Sequence, residues 1–190
     1  DAVVGLYQAA YNFIDGLMSV PIAFSAALLP GAVTFYNTDK SKLIKLYNGA
    51  TKFTSLLAFP LVFGTALLAD KIILMIYGEK YANAIPALQI LIWVIIPLYL
   101  VYIMGMIQIV IHKEKLGAYA LGFTALLNVV INLILIPKYS LLGAAIATII
   151  SEIVYLVLYY IINAKFLCTL NIFKITLKPF IASIIMGVFI

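Results

Sequence analysis

The sequence has few of the residues on which soluble enzymes and secreted proteins depend. Arginine is absent, and lysine, aspartate and glutamate together make up only 10% of the 190 residues. The single cysteine, Cys168, excludes an internal disulfide. The single histidine, His112, excludes a histidine-based metal site or catalytic dyad, and neither a glycine-rich phosphate loop nor an HExxH motif occurs. The sequence therefore argues against an enzyme and predicts no cofactor and no metal ion.

Apolar residues are abundant. They make up 66% of the chain, and the mean hydropathy is +1.18. Soluble domains are about 45–50% apolar and about 25% charged. A soluble fold of this size could not hide so much apolar surface, because a small domain leaves much of its chain exposed. The composition therefore predicts an integral membrane protein.

The apolar residues fall into runs that are long enough to cross a bilayer as helices. Such a helix needs about 20 residues, and lipid cannot satisfy the open backbone of other structures. The runs cover residues 5–36, 53–76, 84–111, 116–137 and 141–164, and a further run starts at 178–190. We predict an all-α polytopic membrane protein, a transmembrane helix bundle forming a single membrane domain. The chain lacks an initial methionine and ends within an apolar run, so we expect a fragment of a longer protein.

The lysines indicate how these helices are oriented. Residues 37–52, 112–115 and 165–178 hold nine of the twelve lysines, and the alternate connections hold three. Loops rich in lysine stay cytoplasmic. We therefore predict a multi-pass protein of the cell membrane, with residue 1 external and these three loops cytoplasmic. The net charge of +5 is explained by this orientation, and nucleic acid is not expected as a partner.

A polar stripe runs along the first predicted helix. Its members are Gln8, Asn12, Asp15 and Ser19, which fall within an arc of about 60° at helical periodicity. A stripe of this kind is typical of a helix that lines an internal transport pathway. It is equally compatible with a helix end that lies in the interfacial layer.

The run that begins at residue 141 carries two adjacent stripes with a four-residue repeat. One consists of small residues, and the other ends in a carboxylate; their members are Gly143, Ala147 and Ser151, and Ala144, Thr148 and Glu152. Small residues let helix backbones approach closely in lipid. A carboxylate near the bilayer centre costs about 2.5–3.5 kcal/mol, so it usually faces a partner or a water-filled cavity. We predict that Glu152 flanks a helix–helix seam.

The preceding helix carries Asn128 and Asn132 on one face. The linker PKYS is so short that the two helices must be antiparallel neighbours. We expect Asn132 to be a cross-helix partner of Glu152, although Asn128 matches its depth more closely. Two interpretations remain open: hydrogen bonds that hold the helices together, or a relay for a proton or substrate.

Three stretches of the sequence together resemble a known family. They read VGLYQAAYNF followed by LLP, then FPLVFGTALLADKIILMIYGEKY, then NVVINLILIPKYSLLGAAIATIISE. They are similar to polysaccharide-biosynthesis membrane proteins, the O-antigen-type flippases of the multidrug/oligosaccharidyl-lipid/polysaccharide exporter superfamily. The similarity extends from about Ala2 to Phe166, with Ser140 and Leu141 where the family signature has its glycine region.

The resemblance implies one lobe of a two-lobe, alternating-access transporter for a lipid-linked oligosaccharide. The expected partners are membrane lipids, the lipid-linked glycan, a coupling proton or sodium ion, and the N-terminal half of the same chain. A diphosphate-linked substrate requires cationic side chains, and none lies at mid-depth in these helices. The N-terminal half would therefore supply them, or the headgroup of the substrate is less anionic than a diphosphate. A cation-coupled multidrug exporter is the alternative. A membrane enzyme of glycan assembly is less favoured because no predicted loop exceeds about sixteen residues.

Overall fold

A computed structural model of the protein describes the backbone of residues 2–189, and their side chains except those of residues 2–4, 6, 7 and 9. The described chain is helical and contains no strand. Its helices are α1 (Ala2–Thr38), α2 (Lys40–Leu67), α3 (Ala69–Tyr77), α4 (Ile85–Leu91), α5 (Ile95–Val110), α6 (Glu114–Phe166) and α7 (Ile172–Val188). Short 3-10 turns at Glu79–Ala84 and Ile92–Val94 join α3 to α4 and α4 to α5.

Five helical stretches of the described chain are long and apolar enough to cross a membrane. They are Ala10–Thr38, Lys40–Leu67, Glu79–Val110, Glu114–Phe166 and Ile172–Phe189. The predicted all-α membrane fold is thereby confirmed, and the protein is a multi-pass membrane protein.

The helix α6 is two antiparallel arms joined by a sharp reversal at Ser140. Ser140 has φ 50° and ψ −124°, which is not a helical conformation. In a straight helix, residues 128 and 151 would lie about 35 Å apart. Instead, the amide nitrogen of Asn128 lies 3.1 Å from the hydroxyl of Ser151. The short linker therefore forms a helical hairpin, with arms at residues 114–139 and 141–166.

The start of α2 corrects the prediction that residues 37–52 form a loop. Asp39 caps the helix, because its carboxylate accepts hydrogen bonds from the backbone N–H groups of Ser41 and Lys42 at 2.9 and 3.3 Å. From Lys40 onward, Leu43, Tyr47 and Ala50 are buried while the lysines stay exposed. The segment is thus an amphipathic helical extension, which a search for purely apolar runs misses.

The predicted loop 165–178 is also shorter in the structure. Asn171 caps α7 by accepting a hydrogen bond from the backbone N–H of Lys174 at 3.0 Å, so the helix begins at Ile172.

The predicted segment 53–76 is divided between two helices. It belongs partly to α2 and partly to α3, and the chain leaves helical geometry at Leu68 between them. Gly78 then ends α3 with φ 79°, a backbone conformation that favours glycine.

The helix α5 lies at the centre of the bundle. It packs against α1, α2 and α6, and both arms of the α6 hairpin contribute residues to the core around it. The helix α7 packs against α2. Most residues of α5 are buried, including Tyr99, whose hydroxyl donates to the backbone oxygen of Leu17 in α1 at 2.8 Å. This arrangement leaves space between α1, α5 and α6, and the candidate site lies there.

Candidate functional site

Polar residues join the two arms of the α6 hairpin. The amide nitrogen of Asn132 donates to the side-chain oxygen of Asn128 at 2.8 Å, and the amide nitrogen of Asn128 donates to the hydroxyl of Ser151 at 3.1 Å. The hydroxyl of Ser151 in turn donates to the backbone oxygen of Ala147 at 2.8 Å. The bond from Asn128 to Ser151 crosses the hairpin, and the other two lie within its arms, in segments that are otherwise apolar.

The small-residue stripe faces the opposite arm of the hairpin. Gly143, Ala147 and Ser151 are all buried. A Cβ atom added to Gly143 would lie 2.5 Å from the backbone oxygen of Leu135, on the opposite arm. Only glycine therefore permits this backbone approach. The neighbouring stripe, Ala144, Thr148 and Glu152, is half-buried and faces the cleft described next.

The first cleft, of about 720 Å³, lies between α1 and the two arms of α6. Its wall is largely apolar, with polar groups from all three helical segments. These include Tyr11, Thr124, Asn128, Asn132, Thr148 and Glu152. The structure therefore brings the asparagine pair and the carboxylate stripe to the wall of one cleft.

The second cleft, of about 750 Å³, lies between α1, α5 and α6. Its polar lining consists mainly of Tyr102, Gln108, Glu114, Glu152, Tyr155 and Tyr159. Glu152 lines both clefts, and so does Leu121. The two clefts are thus neighbours along the hairpin, with one carboxylate at their boundary.

Glu152 is not bonded to either asparagine. Asn128 reaches the hydroxyl of Ser151, the residue just before Glu152. One carboxylate oxygen of Glu152, Oε2, is buried and has no hydrogen-bond partner among the described residues. The expected pairing of Glu152 with Asn132 or Asn128 is therefore wrong, because the neighbouring serine lies nearer to the asparagine face. Ser151 accepts the hydrogen bond between the two arms, and Glu152 lies in the wall of the clefts.

The polar stripe on α1 lies on an exposed face. All four residues are exposed, and the amide nitrogen of Gln8 donates to the side-chain oxygen of Asn12 at 2.8 Å. The stripe does not line either cleft. However, Asp15 lies along α1 between Tyr11, which lines the first cleft, and Ile22, which lines the second. All three residues project from the same side of the helix. The role of the stripe in lining a transport pathway stays a prediction.

Sequence reasoning missed a row of polar residues on the second arm of α6. Tyr155 lies three residues after Glu152, Tyr159 and Asn163 follow at intervals of four, and these residues face α5. The amide nitrogen of Asn163 donates to the hydroxyl of Tyr47 and to the backbone oxygen of Met104, at 3.1 Å in both cases. The four-residue repeat that indicated the asparagine pair was present here too, but Asn163 fell at the predicted end of its segment.

The described part of the chain offers no metal-binding cluster of three or more histidine, cysteine, aspartate or glutamate residues. The second cleft also lacks a described lysine or histidine in its wall. The site therefore presents carboxylates, amides and phenolic hydroxyls in an apolar cleft. Such groups suit hydrogen bonding to an uncharged polar ligand or binding of a cation.

Comparisons with known proteins agree with the resemblance noted in the sequence. A family model described as "Polysaccharide biosynthesis protein" matches residues 1–86. A probable flippase, AglR, of Haloferax volcanii is 24% identical over 155 residues, which cover 79% of this chain and 32% of the relative. The probable low-salt glycan biosynthesis flippase Agl15 of the same organism is 27% identical over 158 residues, which cover 82% of this chain and 33% of the relative. The chain spans about a third of the length of these relatives.

Proposed function

We propose, from the confirmed similarity of this chain to polysaccharide-biosynthesis membrane proteins, that it forms one lobe of a flippase for a lipid-linked oligosaccharide. The observation that carries the proposal is the match of about four fifths of the chain to two proteins named as flippases. It is supported by two clefts with polar walls among apolar helices. On this proposal the protein is a transporter rather than an enzyme.

In this proposal the two lobes rock to open the clefts to one side of the membrane and then to the other. The glycan occupies the polar space while its lipid tail stays in the bilayer, because only the polar part needs shielding from hydrocarbon. Residue 1 lies outside the cell, and the segments 37–52, 112–115 and 165–178 lie on the cytoplasmic side of the cell membrane. The partners are membrane lipids, the lipid-linked glycan, a coupling proton or sodium ion and a second lobe.

A multidrug exporter that is coupled to a cation is the second candidate. It is favoured by the charge of the second cleft, whose described wall carries the carboxylates of Glu114 and Glu152 without a lysine. An acidic cleft attracts an organic cation. The two candidates differ in substrate charge, so a transport assay separates them.

The test is a flipping assay with the full-length protein that carries this chain. The protein is reconstituted into liposomes that contain a fluorescent lipid-linked oligosaccharide, and an added glycosidase cleaves only the outward-facing glycan. We expect the protected inner pool to become accessible with the protein and to remain protected without it. Export of an organic cation with no flipping of the glycan would instead support the exporter.

A variant of Asp15 tests the role of the α1 stripe in the same assay. We expect Asp15→Asn to lower flipping about tenfold, because a charged hydrogen-bond acceptor contributes about 1.5–3 kcal/mol, and to leave the amount of membrane protein unchanged. Asp70→Asn is the matched control, since Asp70 is an exposed residue in the first turn of α3. Normal flipping by Asp15→Asn would remove this residue from the pathway.

A further inference from the structure

The wall of the second cleft contains a buried amide whose polar atoms are unsatisfied. Gln108 in α5 is 1% exposed, and neither its amide nitrogen nor its amide oxygen has a hydrogen-bond partner in the described chain. An unpaired buried polar group costs about 1–3 kcal/mol. Gln108 lines the cleft, and its flexible side chain can turn its amide toward a ligand there. Such a group indicates a binding partner that forms hydrogen bonds.

Two tyrosines stand beside this amide in a fixed arrangement. The hydroxyl of Tyr155 donates to that of Tyr159 at 2.7 Å, and their rings are 4.4 Å apart between centroids. Tyr159 is held by two glycines. A Cβ atom on Gly105 would lie 3.3 Å from its ring, and one on Gly117 would lie 2.8 Å from its hydroxyl.

The glycine at position 117 also makes room for the amide. A Cβ atom there would collide with the side-chain oxygen of Gln108 as well as with Tyr159. The oxygen of Gln108 and the hydroxyl of Tyr159 therefore both lie against the same glycine, although they are not bonded to each other. Their polar atoms are close enough to serve one ligand.

The charge of the cleft limits what this ligand can be. Glu114 and Glu152 line the cleft, and no cation lines it among the described residues. A phosphate or a uronic acid would meet two carboxylates and no counter-charge, which is unfavourable in a cleft with low dielectric walls. A neutral polyhydroxylated ring can donate to carboxylates, exchange hydrogen bonds with an amide and lie against tyrosine faces, which are apolar with a polar tip.

We propose that the cleft lined by Gln108, Glu152, Tyr155 and Tyr159 binds the uncharged sugar of the lipid-linked glycan, and that the diphosphate is bound elsewhere. The proposal rests on the proposed flippase function and adds the part of the substrate that this lobe recognises. It also predicts selectivity: a neutral first sugar is accepted and a uronic acid is rejected.

The test measures binding to the purified full-length protein by calorimetry, with three short-chain polyprenyl diphosphates. One carries no sugar, one carries a neutral N-acetylhexosamine and one carries a uronic acid. We expect the neutral sugar to improve affinity about tenfold over the bare carrier, since one or two good hydrogen bonds give a factor of this order. The uronic acid should give no improvement.

Variants of the cleft separate sugar recognition from carrier binding. We expect Gln108→Leu and Tyr159→Phe each to remove most of the preference for the neutral sugar and to leave affinity for the bare carrier unchanged. Tyr159→Phe preserves the ring and guards against a folding defect in the glutamine variant. Tyr119→Phe is the control, because Tyr119 is 74% exposed and lies outside the cleft. Wild-type preference in both cleft variants would overturn the proposal.

Glu152→Gln tests the role of charge. We expect this variant to bind the uronic acid carrier more tightly than the wild type does, because one of the two repelling carboxylates, Glu114 and Glu152, is gone. Continued rejection of the uronic acid would overturn the charge argument. A wild-type protein that binds all three carriers equally overturns the sugar site alone. A wild-type protein that binds none of them, and binds sodium or an organic cation instead, overturns the flippase function as well.

Discussion

Asp39 is the residue that determines where α2 begins. The hydroxyl of Ser41 donates to its carboxylate at 2.7 Å and, together with the backbone N–H of Lys42, lowers the pKa of Asp39 below its ordinary value of 3.8. Because the pKa in the folded state is depressed, the stabilisation is fully present above about pH 4 and is lost as the pH falls through the folded pKa.

This predicts a pH-dependent effect of Asp39→Ala. We expect the variant to unfold at a lower temperature than the wild type near neutral pH, and the difference to shrink as the pH approaches about 3. Melting temperatures of the detergent-solubilised proteins measure it, with Asp70→Ala as the control. A difference that does not change with pH would show that the carboxylate charge at Asp39 is unimportant.

Ser140 is strained at the tip of the α6 hairpin. Its φ of 50° with ψ of −124° is a region that residues with a Cβ atom rarely adopt, whereas glycine adopts it readily. Strain of this kind costs about 1–3 kcal/mol. We expect Ser140→Gly to raise the free energy of unfolding by about 1 kcal/mol, and Ser140→Ala to give no gain because it keeps the Cβ atom. Equal stability of the two variants would contradict the strain.

At the scale of elements, the α6 hairpin depends on close contact between its arms. We expect Gly143→Ala to lower the free energy of unfolding by about 1–3 kcal/mol, as overpacking does, because its new Cβ atom would meet the backbone of Leu135. Gly122→Ala is a matched control in the same helix, since nothing lies within 4 Å of its Cβ position. Thermal unfolding in detergent measures both, and equal midpoints would mean that the arms are not in contact at Gly143.

The elements also show what a sequence can and cannot predict. Apolar runs predict crossing helices because lipid leaves the backbone no alternative. The linker PKYS predicts the hairpin because it is too short for anything else. A search for apolar runs does not find the extension of α2 over residues 40–52 because its lysines interrupt the run, although the buried positions repeat with helical periodicity. The cap at Asp39 was the local signal that could have revealed it.

Pairing between side chains of different helices was harder to predict. The sequence places Asn128 and Glu152 at similar depth in the membrane. In the structure Asn128 instead donates to Ser151, the residue before Glu152, because Ser151 lies on the side of the helix that faces the first arm. Gln108 is a single amide in α5 and Asn163 a single amide in the second arm of α6, and nothing in the sequence indicates that both are buried in the bundle. Their environment comes from the packing of α5 against that arm. Pairwise contacts of this kind are fixed only by tertiary structure.

The outer surface of the helix bundle is apolar. Large apolar side chains are exposed along α6 and α7, including Leu126, Leu133 and Phe173 at 65%, 72% and 75%. A water-soluble protein rarely exposes so many of them together. Lipid covers them in a membrane, while the polar groups of the clefts face inward between helices.

The most direct test of this account is the sidedness of the two ends of the first arm of α6. Cys168, the single cysteine of this sequence, is replaced by serine, as is any cysteine elsewhere in the full-length protein. Single cysteines are then introduced as Lys115→Cys and Tyr139→Cys, both at exposed positions. One sample of intact cells and one sample of lysed cells are treated with a membrane-impermeant maleimide. We expect Tyr139→Cys to be labelled in intact cells and Lys115→Cys to be labelled only after lysis. Labelling of both from the same side would contradict it.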